Sequence, residues 1–152
     1  MNIKCKELVE ILKKSNKTIS CMESCTGGFL ANEITNISGA SEVIKVSLVT
    51  YSNEYKIKFG VNKKTIDTYT VYSKETAEEM AKAVTKFANS DYGVGITGNL
   101  DTNGNINKIY YSIYSKENNK IVNKIISISG ENRELMKKYV VNEILGEDIW
   151  NM

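Results

Sequence analysis

At 152 residues the chain is long enough to bury one core and too short for two ordinary domains; its 41% apolar and 25% charged residues exclude a disordered or membrane-spanning class. A net charge of +2, with lysines scattered among glutamates, leaves no basic stripe of the kind that grips nucleic acid. Histidine is absent, which removes the Ser-His-Asp triad, the Cys-His pair and histidine-ligated zinc or iron together, so any acid or base must be Lys, Tyr, Asp, Glu or Cys.

Cys5, Leu8, Val9 and Leu12 recur at helical spacing and predict a first helix from about residue 3 to Lys14. A short strand follows at Thr18 to Met22. Ser24-Cys25-Thr26-Gly27-Gly28 then opens a second helix running to about Ile37, with Ser38-Gly39 as its stop. Val43 to Tyr51, rich in β-branched residues, reads as a strand, after which Ser52 or Asn53 caps a short helix carrying Lys56 and ending near Gly60. Ala77, Met80, Ala81, Val84 and Ala88 form one apolar stripe on a helix from Lys74 to Asn89, preceded by Ser73. Tyr92 to Thr97 is a buried strand ending at Gly98, and Asn99 to Asn105 is a polar loop. Lys108 to Tyr114 and Ile121 to Ile128 form a hairpin around Lys116 to Asn119, and a last helix spans about Asn132 to Leu145. Strands separated by helices early and a hairpin late predict a three-layer αβα sandwich on a mixed sheet, a single α/β domain over 1–152.

No apolar run is long enough to span a bilayer, and the opening MNIKCKELVE lacks a signal peptide's apolar core, so a cytoplasmic protein with no membrane partner is expected. Cys5, Cys21 and Cys25 are an odd set with no CxxC pair, which predicts free thiols in that compartment. Proline is absent, leaving turns to Gly, Asn and Ser, and Arg133 is the only arginine.

Glu23-Ser24-Cys25-Thr26-Gly27-Gly28 is the segment richest in chemistry. It sets a hydroxyl, a thiol, a second hydroxyl and two glycines where a strand runs into a helix, at the edge of the sheet where open α/β folds bind ligands. Backbone N–H groups at a helix start favour an anion, whether a phosphate or the oxyanion of an attacked carbonyl. Ser24 or Thr26 also fits a plain helix cap, and Cys25 is a competing nucleophile. Without histidine, a serine nucleophile needs a lysine or tyrosine to take its proton. Tyr51 and Lys56 are the candidates on the neighbouring loop, Lys56 only if burial or a nearby cation lowers its pKa. No Walker loop and no recognisable metal cluster occur.

ESCTGG after a strand, then YSNEYKIKFGV, SKETAEEMAKA and GVGITG, in that order, resemble the CinA C-terminal domain family, which includes a stand-alone nicotinamide-nucleotide amidohydrolase. The resemblance runs from about Lys4 to Leu145. It implies hydrolysis of the carboxamide of nicotinamide mononucleotide to nicotinic acid mononucleotide and ammonia, with Ser24 as nucleophile and Tyr51 and Lys56 acting with it. It also implies a nucleotide site that draws on Glu23, Cys25, Thr26, Gly27, Gly28, Asn53, Thr97 and Gly98, no cofactor or metal, and a homodimer. Arg133, in GENRE, matches the family's Gly-x-Arg segment only loosely and reads equally well as a surface arginine. Two departures stand out. The family's Gly-Pro-Gly-type loop after ITG is replaced by Asn99 to Asn105, with one glycine and no proline, and its GAVS by Thr70-Val-Tyr-Ser73. The first of these changes a wall beside the substrate, which leaves open an amidase for another small substrate or a nucleotide-binding domain without turnover.

Overall fold

A computed structural model describes residues 2–151. Its elements are α1 (Ile3–Ser15), β1 (Ile19–Glu23), α2 (Phe29–Thr35), β2 (Ile44–Val49), α3 (Asn53–Lys58), α4 (Lys63–Tyr69), α5 (Lys74–Ala88), β3 (Tyr92–Gly98), β4 (Asn107–Ser115), β5 (Lys120–Ile128) and α6 (Arg133–Leu145). Short 3₁₀ turns occupy Ala40–Glu42 and Asp148–Asn151.

The five strands form one sheet in the order β2-β1-β3-β4-β5. β1 lies parallel to both β2 and β3, whereas β3, β4 and β5 run antiparallel to one another, so the sheet is mixed, as expected. Helices cover both faces. On one, α1, α2 and α6 bury Leu8, Leu12, Leu30, Ile34, Val140 and Ile144 against Ile19, Cys21, Val94, Ile96 and Ile113 of the sheet. On the other, Met80 and Val84 of α5 and Ile66 of α4 pack with Met22 of β1 and Val61. Alternate residues of β1 and β3 thus feed opposite layers, which is the period-two geometry of a sheet buried on both sides.

The long helix α5 follows the predicted stripe, with Ala77, Met80, Ala81 and Val84 fully buried and Ser73 as its cap, the Ser73 hydroxyl accepting from Thr76 N at 3.2 Å. It approaches β3 very closely. A Cβ on Gly95 would stand 2.3 Å from the Ala77 carbonyl oxygen, and one on Gly93 would stand 2.3 Å from the Ala81 oxygen. The glycines of GVGITG therefore let a helix lie flat on a strand.

The structure moves several expected boundaries. The second helix starts at Phe29 instead of Ser24, because Gly27 and Gly28 take successive positive φ values of 61° and 95°, which cannot continue a right-handed helix. The strand expected to reach Tyr51 ends at Val49, and α4 occupies a stretch for which no element was expected.

Candidate active site

Ser24 is the first residue beyond β1. Its N–H donates to the Ile96 carbonyl at 2.9 Å, which ties it to the end of β3, and its own carbonyl accepts from Gly27 N at 3.0 Å, which closes the turn. Its side chain is 7% exposed. Lys56 reaches it from α3, whose first turn is capped by the Ser52 hydroxyl accepting from Tyr55 N at 3.2 Å. The Lys56 ammonium nitrogen lies 2.9 Å from Ser24 Oγ and donates to the Thr50 carbonyl at 2.7 Å.

Lysines normally keep their ends in water. Lys56 is 1% exposed. Loss of hydration disfavours the ammonium and holds the pKa down from 10.5 to about 8, with the neighbouring Cys25 a smaller opposing influence. None of the three ion pairs among the described residues involves Lys56, so no carboxylate salt bridge restores the cost of burying it.

The pair opens into a cleft of about 200 Å³ at the carboxyl ends of the three parallel strands, the edge where open α/β sheets take ligands. Of the residues singled out from the sequence, Ser24, Cys25, Tyr51, Asn53, Lys56, Thr97, Gly98 and Arg133 line this cleft. Glu23, Thr26, Gly27 and Gly28 are not among its lining residues. Glu23 is fully buried, and its carboxylate accepts from Thr26 Oγ1 at 2.7 Å, Leu30 N at 3.0 Å and Ala31 N at 3.1 Å. It caps α2 and fixes the turn that carries Ser24. Over the turn, Lys137 of α6 brings its Nζ to 3.2 Å from where a Gly27 Cβ would sit.

Tyr51 is 62% exposed, and its hydroxyl accepts from an Arg133 guanidinium nitrogen at 3.2 Å. Residues 82 apart in sequence thereby join across the cleft mouth, and the phenol hydrogen-bonds to Arg133, not to Ser24 or Lys56. Thr97 Oγ1 donates to the Val71 carbonyl at 2.8 Å. Burial pushes the Cys25 thiol up to about 12, with Glu23 raising it further and Lys56 and Lys137 opposing, so at neutral pH it is a thiol and a weak competitor to Ser24.

Sequence reasoning did not single out Val71, Tyr72, Asn99, Leu100 or Asp101 individually, although all five line the cleft. The altered 99–105 loop was the available signal for the last three. Thr50 acts through its backbone carbonyl, which no side-chain motif reveals. Among the described residues no group of three or more His, Cys, Asp or Glu side chains is placed to hold a metal ion. No described helix is long and apolar enough to cross a membrane.

A serine held by a buried lysine at the carboxyl edge of a mixed sheet, between two helical layers, defines a small α/β domain with a polar ligand cleft. The chain belongs to the CinA C-terminal domain family, whose model matches residues 3–145. A Thermoanaerobacter pseudethanolicus protein named "Putative competence-damage inducible protein" is 36% identical over 143 residues, covering 90% of this chain and 34% of that protein. A Clostridium botulinum protein of the same name is 39% identical over 144 residues, 91% of this chain and 34% of its own length. The chain thus spans about a third of the length of the curated relatives it matches. Among solved structures, the competence/damage inducible protein CihA from Agrobacterium tumefaciens superposes with a TM-score of 0.84 at 24% identity, covering 100% of both chains. A CinA superfamily protein from Klebsiella pneumoniae gives 0.88 at 19% identity, over 98% of this chain and 97% of that one. At such identities the structural likeness speaks to fold.

Proposed function

We propose that the domain is an amidohydrolase that releases ammonia from the carboxamide of nicotinamide mononucleotide, with Ser24 as nucleophile and Lys56 as its base. The observation that carries this reading is the 2.9 Å contact between Lys56 Nζ and Ser24 Oγ, made by a lysine whose pKa burial brings down to about 8. At pH 7 such an amine is neutral in about one molecule in ten, against fewer than about one in a thousand for an ordinary lysine. The neutral amine keeps an N–H on the Thr50 carbonyl and turns its lone pair to the Ser24 hydroxyl.

In this reading Ser24 Oγ bonds to the carboxamide carbon, its proton passes to Lys56, and the carbonyl electron pair moves onto oxygen. Collapse of that intermediate breaks the C–N bond, and the proton held by Lys56 leaves with the nitrogen as ammonia. Water then attacks the acyl ester, gives its proton to Lys56 and releases the acid, after which Ser24 regains its hydrogen. The oxyanion falls to amides of the Cys25 to Gly28 turn other than that of Gly27, whose N–H already serves the Ser24 carbonyl, and the Lys137 ammonium adds positive potential over the turn. The Tyr51 hydroxyl, held at the rim by Arg133, is a second proton carrier that acts on the substrate nitrogen and not on Ser24.

The names of the relatives speak of competence and damage and not of an amide, so the reading rests on the site and on the resemblance of its motifs. A second reading, a nucleotide-binding domain without turnover, is favoured by the rewritten 99–105 loop. Ammonia release from nicotinamide mononucleotide by the purified protein, run beside Ser24→Ala and Lys56→Ala, decides between them. Turnover lost in both variants supports the hydrolase. Binding without ammonia from the parent supports the second reading, and turnover that survives Ser24→Ala removes Ser24 from the chemistry.

A further inference from the structure

The loop that departs from the family pattern places a carboxylate in the cleft. Among the described residues Asp101 is the only acidic one lining it, and Lys56 and Arg133 are the only basic ones. The Asp101 backbone is pinned on both sides of the residue. The buried Asn107 side chain accepts from Asp101 N at 3.1 Å and donates to the Asp101 carbonyl at 2.8 Å, while Leu100 is sunk in the core at 1% exposure. The carboxylate itself accepts from the Asn99 amide at 2.9 Å. That partner orients it and leaves its charge uncompensated.

Arg133 is in the matching situation, because its hydrogen bond goes to the uncharged Tyr51 hydroxyl. None of the ion pairs among the described residues involves either group. The cleft therefore has a negative pole on the loop after β3 and a positive pole at the start of α6, unjoined to each other. A cleft of about 200 Å³ is smaller than most ligand sites and takes a ring-sized group, with the remainder of a larger ligand lying at the mouth.

From this we infer that Asp101 is a specificity residue that selects a carboxamide carried on a positively charged ring, in a substrate whose anionic part faces Arg133. The inference rests on the amidohydrolase reading for its substrate class but not for its test. A neutral ring of the same shape displaces water from Asp101 and offers no opposite charge in return, so the preference is electrostatic and comes from both attraction and an unmet cost.

Oxidised and reduced nicotinamide mononucleotide provide the probes, because both carry the carboxamide, ribose and phosphate while only the oxidised ring is cationic. Calorimetric binding to Ser24→Ala protein, which cannot turn substrate over in the proposed mechanism, should show the oxidised form about tenfold tighter at low salt. The advantage should shrink at high salt. Adding Asp101→Asn, which keeps an acceptor for the Asn99 amide, should bring the two ligands within about twofold by weakening the oxidised form while the reduced form binds at least as tightly as before, with thermal melting confirming the fold. Equal affinity of Ser24→Ala for both forms, binding of neither, or a preference that survives Asp101→Asn would overturn the inference. Absence of ammonia from the parent protein would sink the amidohydrolase reading instead and leave this comparison of affinities intact.

Discussion

Replacing Lys56 with Met tests the assignment of the base through stability, independently of any substrate. Methionine has nearly the same length and an unbranched stem, so it can occupy the buried channel without a cavity. The folded pKa of about 8 lies below the 10.5 of an ordinary lysine, so between those values the unfolded chain binds a proton that the folded chain does not. Parent stability therefore rises with pH across that window, and below pH 8 burying the ammonium costs the fold about 3 kcal/mol. Met removes that cost together with the hydrogen bonds to Thr50 and Ser24, worth about 1 to 2 kcal/mol in total. Lys56→Met should thus be more stable than the parent by about 1 to 2 kcal/mol at pH 7 and less stable by about 1 kcal/mol at pH 10. Urea unfolding of both proteins at pH 7, 8, 9 and 10 reads the difference, in which the titration of every other lysine cancels. A difference that stays flat over that range would mean that Lys56 titrates as an ordinary lysine, and the argument for its role as base would fall.

Three further outcomes are expected. Because Lys56 must be neutral to accept the Ser24 proton, kcat/KM for amide hydrolysis should rise about tenfold from pH 7 to pH 9, levelling above about 8, and a rate that falls over this range would contradict the base. Glu23→Ala should remove the cap on α2, costing about 2 to 3 kcal/mol and lowering Tm by roughly 4 to 10 °C in thermal melts, with loss of turnover as the Ser24 turn loosens. Gly95→Ala forces a methyl to within 2.3 Å of the Ala77 carbonyl and should cost about 2 to 3 kcal/mol in denaturant unfolding, while the same change at solvent-facing Gly104, which meets nothing within 4 Å, should show no packing penalty beyond that of its positive φ.

How much could be read beforehand depended on how local each cause was. Ala77, Met80, Ala81 and Val84 repeat at the helical period, and α5 is where they put it. The helix α4 escaped because KKTIDTY offers a single buried apolar residue, Ile66, and no stripe; the Asn62 cap and packing against α5 make it helical. The start of α2 was misplaced because Ser24 and Thr26 carry cap chemistry, whereas the real cap comes from Glu23, seven and eight residues before the amides it receives. Burial of Lys56 ran against the ordinary behaviour of lysine; the absence of histidine and its place on the neighbouring loop made it a candidate base, and the resemblance of ESCTGG and YSNEYK to a family pointed to the same residue. The Tyr51–Arg133 contact joins two exposed residues across 82 positions and left no pattern in the sequence.

The two halves of the Ser24–Lys56 pair hang from strands of unequal security. Ser24 follows β1, which has a hydrogen-bonded neighbour on each side, whereas Lys56 is held by the carbonyl of Thr50, just beyond β2 at the open margin of the sheet. Val49, the last residue of β2, is 52% exposed. Opening of that margin takes less free energy than unfolding the whole domain, and it returns the Lys56 amine to water, where it regains its proton. Warmth should therefore silence the serine while the central strands are still folded, so that the ceiling on activity is set by how firmly the outermost strand stays zipped and not by the melting of the core.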